Sequence, residues 1–312
     1  MIWLRALTQR WLNIRLAASR DTVVRIVERP GAWMSTDEAR ELVDDCREVA
    51  RTSLAHGALD YGIFGDEPEP LARTIITIIY DRSSGRPIAF NALPVLNVEL
   101  GGEPIIVQHL GLVMVHPDAR SGGLSWILYG LTCFLLFVRA QLRPLWISSV
   151  TQVPAVVGMV YETFSNVFPG PEAGGRSFEH LFLARQIMRA HRAAFGVGED
   201  AGFDELRFVI TNAYTGGSDN LKKSLESAQM HRDQRFNALC ARELDYGRGD
   251  DLLQIGQLDL AAAQRYLLRV VPRRSLPGLL IQSALVLTQS IVLPVIHWFA
   301  ADRPFGILRA RS

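Results

Sequence analysis

Val113-Met-Val-His-Pro-Asp-Ala-Arg-Ser-Gly-Gly-Leu-Ser125 is the stretch on which the reading of this chain turns. An extended apolar run meets a turn containing Pro117. Arg120, Gly122 and Gly123 then lead into an apolar helix whose first turn carries no large side chains. Such a turn presents bare backbone N–H groups and the positive end of a helix to an anion, most naturally a phosphate.

Composition bounds what surrounds this stretch. The 312 residues suffice for one large domain or two small ones. Apolar residues make up 48% and charged residues 21%, which excludes an intrinsically disordered chain. A net charge of +1 gives no general attraction to nucleic acid. Cys46, Cys133 and Cys240 are isolated, as reduced thiols are, and no zinc-type spacing of Cys and His occurs, so no metal site is expected.

Both ends are apolar and basic. Residues 1–20 hold four arginines and no acid, with Leu4, Leu7, Trp11, Ile14 and Ala18 at helical spacing. This pattern predicts a basic amphipathic helix, docked on the protein's own core or lying in a membrane interface. From Ser275 to Ala301 there is no charged residue, while Arg273 and Arg274 precede the segment and Arg303, Arg309 and Arg311 follow it. Basic flanks on both sides suit a segment that contacts a membrane without a simple crossing. The chain thus divides into three units: a basic N-terminal segment over 1–30, a catalytic-sized domain over 31–272, and a hydrophobic membrane-contacting segment over 273–312.

Between the ends, Ser35-Thr-Asp-Glu38 is a capping box that opens a helix reaching about His56. Residues 73–80 (RTIITIIY), 87–99 and 105–115 read as an antiparallel meander, with Gly101-Gly102 as its second turn. A helix over 122–140 leads to a strand at 145–151, parallel by the crossover rule. A short helix follows at 154–165, then helix and loop over 170–205. Strands at 206–211 and 252–257 bracket a polar helix near 219–242. The expected class is α+β, with a mixed central sheet flanked by helices and a hydrophobic C-terminal helical extension. The basic group Arg185, Arg189, His191 and Arg192 reads as a solvated helix face or a phosphate contact.

Arg120-Ser-Gly-Gly123-Leu-Ser125, with Val115-x-Pro117 before it, resembles the phosphate-binding signature of the GNAT superfamily of acyl-CoA N-acyltransferases. The element order over residues 35–168 agrees with that resemblance. It implies a GNAT-like sheet, acyl-CoA as co-substrate and no further cofactor. It also implies that backbone groups of Val113, Met114 and Val115 receive the acyl carbonyl and pantetheine amides. The pyrophosphate would rest on Arg120, Ser121, Gly122, Gly123, Leu124 and Ser125. The family's base falls at His109, whose ordinary pKa of about 6.5 suits proton transfer. Strand alternation places His109 on the face of Gly111, Val113 and Val115; His116 is a second choice. The family's proton donor to the leaving thiolate falls at Tyr161, followed by Glu162 as in the family, although Pro154 and Ser165-Asn166 depart from its pattern.

Residues 121–138 carry no charge, and their helix is apolar all round. Together with both ends, this suggests a site open to lipid, so the chain is similar in plan to bacterial ceramide synthase-like N-acyltransferases. The implied reaction joins a long-chain acyl group to the amine of a lipid-like acceptor such as a sphingoid base. It would take place in the cytoplasm at the inner membrane surface, with no nucleic acid involved. The alternatives are a soluble GNAT acetyltransferase acting on a small amine or protein amine, and a noncatalytic acyl-CoA-binding protein.

Overall fold

A computed structural model describes residues 11–54, 59–65, 68–119, 123–124, 126–172 and 174–299. The chain opens with strands β1 (Asn13–Ala17) and β2 (Thr22–Glu28), then helices α1 (Thr36–Ser53) and α2 (Glu69–Ala72). Strands β3 (Thr74–Asp81), β4 (Pro87–Leu100), β5 (Glu103–Leu110) and β6 (Leu112–Val115) follow. A π-helical turn, Trp126–Leu131, runs into α3 (Thr132–Arg139), which leads to β7 (Leu145–Thr151). Next come α4 (Pro154–Thr163), β8 (Ser165–Phe168), α5 (Phe178–Ala190), β9 (Gly202–Asp204) and β10 (Val209–Thr211). The chain continues through α6 (Gln234–Glu243), β11 (Asp251–Leu258), α7 (Leu260–Arg265) and α8 (Leu276–Phe299).

These strands make one mixed sheet in the order β1-β2-β3-β4-β5-β7-β11-β10-β9, with β6 beside β4 and β8 beside β11. β2 to β5 pair antiparallel in sequence, and β5 pairs with β7 in parallel. The fold is therefore α+β with a mixed sheet: an antiparallel meander followed by a parallel strand, flanked by helices. Each expectation has a local cause. The β3 run is β-branched and buried on both faces. Gly101 and Gly102 take φ of 63° and 83°, as a two-residue hairpin turn demands. The capping box at Ser35 and Glu38 forms, and α1 buries Leu42, Val43, Cys46 and Val49.

Two layers of helices cover the sheet. One face carries α3, α4, α6, α7 and α8, and its largest cluster joins Ile75, Leu93, Val95, Leu110, Leu131 and Phe137. The other face carries α1 over Ile76, Ile78 and Phe90, and α5 over Leu96, Val98 and Val107. Polar groups grip the π turn from below. Asn91 Nδ2 donates to the Leu128 carbonyl, and Tyr266 Oη donates to the Trp126 carbonyl at 2.8 Å. Competing donors of this kind widen a helical ladder. At Gly130 a Cβ would lie 2.7 Å from the Tyr266 ring atom Cδ2, so only glycine allows this packing.

The structure departs from the sequence reading in several places. Residues 13–17 form β1, paired with β2 from Asn13↔Val27 to Ala17↔Val23, rather than the middle of a helix. Ile14 and Leu16 alternate with Asn13 and Arg15, and period two prevails there. The rest of that expected helix, residues 1–10, lies outside the described residues. Because β2 is a full member of the sheet, the boundary at residue 30 is not a domain boundary. The polar helix expected near 219–242 is confined to α6, the strand at 206–211 shortens to β10, and β8 and β9 are additional. The strand expected over 105–115 is broken at Gly111 into β5 and β6.

Candidate active site

That break creates the site. β5 pairs with β4 in the register Val95↔Gln108, whereas β6 pairs in the register Ala92↔Leu112. Between these pairs β4 has two residues and its partner three, so one extra residue is inserted: a β-bulge. Gly111 is required at the bulge. A Cβ there would collide with the Ala92 carbonyl oxygen and lie 2.8 Å from Pro94 Cδ.

The insertion reverses side-chain alternation. Val107 and His109 face the α5 layer, whereas Val113 and Val115 pack on the α3 side. This corrects the expectation that His109 shares a face with Val113 and Val115.

The bulge also ends the pairing of this strand with β7. Leu110↔Ser149 is the last parallel pair, and Val150 with Thr151 continues only against β11. The sheet opens at this point between β6 and β7. His116 N–H bonds the Ile88 carbonyl on β4 at 2.8 Å. By alternation, Val113 and Val115 turn their N–H and C=O groups the other way, toward the opening. The Val115 carbonyl accordingly accepts from Ser53 Oγ at 3.0 Å, away from β4.

At the end of β6 the chain turns into the α3 layer. Gly123 has φ 64°, is exposed, and has no atom within 4 Å of a notional Cβ. Leu124 is buried, and its carbonyl accepts from Ile127 and Leu128 N–H at 3.0 and 3.1 Å. The expected phosphate contacts at Arg120, Ser121, Gly122 and Ser125 fall outside the described residues. His116 is half-buried at the turn, where its Nδ1 accepts from Asp118 N–H at 3.3 Å.

His109 is 1% exposed, with Nδ1 3.0 Å from Ser148 Oγ and its ring stacked on Phe195 at 4.8 Å. Burial pushes its pKa down to about 3. A base works best with a pKa near the working pH, so an imidazole held this way stays neutral and accepts protons poorly. Tyr161, on the opposite face, rests on Phe236 at 5.6 Å between ring centres. Its ring covers Gly170, where a Cβ would fall 2.8 Å from Cδ2. His109 and Tyr161 thus lie on opposite faces of the sheet rather than side by side.

Three members of the basic group, Arg185, His191 and Arg192, are engaged within the chain, and Arg189 is exposed. Arg185 pairs with Glu205 at 2.6 Å, Arg192 bonds the carbonyls of Met188, Glu199 and Ala201, and His191 reaches the Asn97 carbonyl. Among the described residues, no group of three or more His, Cys, Asp or Glu side chains is placed to hold a metal. A cavity of about 130 Å³ lies at the closed end of the β5–β7 pair, lined by Gln108, Arg139, Leu145 and Trp146, away from the opening.

Sequence reasoning passed over one group here. Asp251, at the start of β11, is buried, has Oδ1 2.8 Å from Tyr214 Oη, and has its pKa raised by desolvation to about 7. A lone Asp after Arg248-Gly-Asp250 reads as turn chemistry, and only the fold reveals its burial.

No family model matches the sequence, and no curated protein matches it. Among solved structures, the chain is similar to a ribosomal-protein-S5-alanine acetyltransferase from Vibrio fischeri. The identity is 10% and the TM-score 0.34, over 78% of this chain and 96% of that one. A likeness at that level carries no functional argument; the opened sheet and its neighbours carry it instead.

Proposed function

We propose that this protein is an acyl-CoA-dependent N-acyltransferase of the GNAT type. The observation that carries the reading is the opened sheet: a bulge at Gly111 frees the Val113 and Val115 edge beside β7, and that edge leads directly to Gly123 and an apolar helix. Two free N–H groups about 7 Å apart suit the acyl carbonyl and a pantetheine amide, and a donor at the carbonyl also stabilises the oxyanion of acyl transfer. The exposed Gly123 turn suits the pyrophosphate. Arg120, Ser121, Gly122, Leu124 and Ser125 complete that cradle in this reading. Tyr161 would donate to the leaving thiolate from the α4 side.

A second observation favours a lipid-facing version of this activity. Among the described residues no helix is long and apolar enough to cross a membrane. Yet over residues 276–288, α8 turns Leu279 and Val286 inward and leaves Leu280, Ile281 and Leu287 exposed. Leu268 and Val270 extend this apolar surface, and Arg269, Arg273 and Arg274 lie exposed beside it. Apolar side chains next to arginines suit an anionic membrane surface. In this version a long-chain acyl donor and a lipid-like amine, of which a sphingoid base is one example, meet at the bilayer.

The test is release of free CoA thiol from acetyl-CoA and palmitoyl-CoA, each with sphinganine and with a panel of small amines. Release with any pair, abolished by Gly123→Trp through lost acyl-CoA binding, supports acyl transfer. Tight acyl-CoA binding by the Trp variant overturns the placement of the phosphate turn. Palmitoyl- and sphinganine-dependent release, with sedimentation on phosphatidylglycerol vesicles that Ile281→Glu removes, supports the lipid version. Release with acetyl-CoA and small amines alone would discard it.

A further inference from the structure

Asp251 lies at the mouth of the opening. It is the residue before Leu252, which pairs with Thr151 at the end of β7, so it stands beside Gln152 just past the last β5–β7 pair. It shares a sheet face with His109 and Ser148, because Ile255, two turns of the pleat away, is paired with Ser148. Across the gap, Tyr61, Leu221 and Leu112 of β6 pack on the same buried cluster, to which Met114 of β6 belongs. Asp251 and its desolvated surroundings both raise the Tyr61 pKa, which puts that ring close to the carboxyl. The group therefore bridges the two strands that part.

The hydrogen bonds within it are unusually constrained. With its amide oxygen toward Tyr214, Gln152 accepts from Lys223 N–H at 2.9 Å and donates to the Lys223 carbonyl at 3.1 Å, so both ends of the amide are satisfied. Tyr214 Oη then stands 2.6 Å from the Gln152 oxygen and 2.8 Å from Asp251 Oδ1. A phenol has one proton and cannot donate to both. In that orientation both contacts are hydrogen bonds when Asp251 is protonated and donates to Tyr214, which donates to Gln152; with the amide reversed, Gln152 Nε2 donates to Tyr214 Oη at 2.6 Å and Tyr214 donates to the ionised Asp251. Desolvation raises the carboxyl pKa to about 7, so both states are accessible near neutral pH.

We propose that Asp251 is the terminal acceptor for the proton lost by the attacking amine, and that the Tyr214 hydroxyl relays it. This rests on the acyl-transfer reading above. In the step, the amine nitrogen bonds the thioester carbon and the C–S bond breaks. The amine proton passes to the Tyr214 oxygen while the phenolic proton passes to the Asp251 carboxylate. The C–S electron pair leaves on the CoA sulfur, which takes its proton from Tyr161, and solvent returns a proton to that phenol. Tyr214 touches the amine and is the catalytic residue of the pair; Asp251 acts through it.

The other groups facing Asp251 leave it free to titrate. Asp250 is bound to Arg248 at 2.6 Å, and Tyr61, Tyr214 and Tyr246 have pKa values pushed upward by burial. Lys222 is engaged by the Gly247 carbonyl at 2.7 Å.

The experiment compares wild type, Asp251→Asn and Tyr214→Phe in thiol release from pH 5.5 to 9, with acyl-CoA binding by calorimetry and the neutral-carboxyl infrared band as further readouts. Both variants should lose about a hundredfold or more in kcat while binding acyl-CoA within about twofold of wild type. The rise in rate near pH 7 should vanish in Asp251→Asn, together with a carboxyl band titrating at that pH. A variant within about threefold of wild type, or one that keeps the rise, overturns the proposal while acyl transfer stands. A wild type without turnover on any acceptor overturns the acyl-transfer reading beneath it, whatever the infrared band does.

Discussion

Gly111→Ala is the sharpest perturbation of this architecture. The added Cβ would meet the Ala92 carbonyl oxygen and lie 2.8 Å from Pro94 Cδ, where ordinary contact begins near 3.4 Å. Neither neighbour can rotate away, since one is backbone and the other a ring. β6 must therefore shift from β4 by several tenths of an ångström, beginning at the Ala92↔Leu112 pair. Overpacking of this kind costs about 1–3 kcal/mol, and a weakened ladder hydrogen bond adds about 1. The expected loss is about 3 kcal/mol, a fall of roughly 6–10 °C in Tm for a chain of this size. Urea denaturation should show a lower midpoint at unchanged slope. Because the same shift moves the Val113 and Val115 N–H groups, acyl-CoA affinity should fall about tenfold or more, or about 1.4 kcal/mol. Gly101→Ala is the control: it meets the strain of φ 63° in open space, costs about 1 kcal/mol, and leaves binding alone. A Gly111→Ala protein within about 2 °C of wild type, with unchanged acyl-CoA affinity, would refute the reasoning.

Asp251 and His109 should give opposite dependences of stability on pH. The Asp251 pKa is raised on folding, from near 3.9 to about 7, so its contribution is full below pH 4 and is lost as pH rises through 7. Asp251→Asn should therefore be more stable than wild type at pH 8, by on the order of 4 kcal/mol, read from urea midpoints; no gain would mean that the carboxyl is ionised and solvated. The His109 pKa is lowered to about 3, so its contribution is full above pH 6.5 and is lost as pH falls toward 3. His109→Gln should flatten the acid limb, and an imidazole titrating near pH 6.5 by NMR would contradict the burial argument. Glu28 forms a buried pair with Arg139 and accepts from Leu12 N–H at 2.9 Å. Glu28→Gln should cost about 3 kcal/mol by leaving the guanidinium without its carboxylate, and a cost below about 1 kcal/mol would show the charge balanced elsewhere.

The scaffold was legible because its signals are local. RTIITIIY at 73–80, Gly101-Gly102 and the Ser35–Glu38 box each fix a strand, turn or helix end by short-range chemistry, and the structure has all three. The bulge was half-legible: a glycine inside an alternating strand is its ordinary mark, but period-two counting ran through Gly111 and put His109 on the wrong face. Residues 13–17 misled for the opposite reason, since five residues of NIRLA fit either period and only pairing with β2 selects the strand. Asp251 was invisible because its meaning is wholly tertiary. Tyr61, Tyr214 and Gln152, which surround it, are far apart in the sequence.

The faces on which these residues lie argue for a division of labour. The β6 edge opens between two layers: Gly123 and Tyr161 approach it from the α3 and α4 side, and Asp251, Tyr214 and His109 from the α1 and α5 side. An acyl donor seated on the first side would present its thioester through the opening to an amine arriving from the second. The proton then need not cross the sheet, because the carboxyl stands on the amine's own side. For the fold alone a carboxyl at 251 is a poor choice: near neutral pH it is either ionised in a site 5% exposed or held protonated against its ordinary pKa. An asparagine would hydrogen-bond Tyr214 without that penalty. Such a cost at the mouth of the opening is what a proton acceptor with a pKa of about 7 requires, and it is the physical ground for separating Asp251 from the neutral, fully enclosed His109.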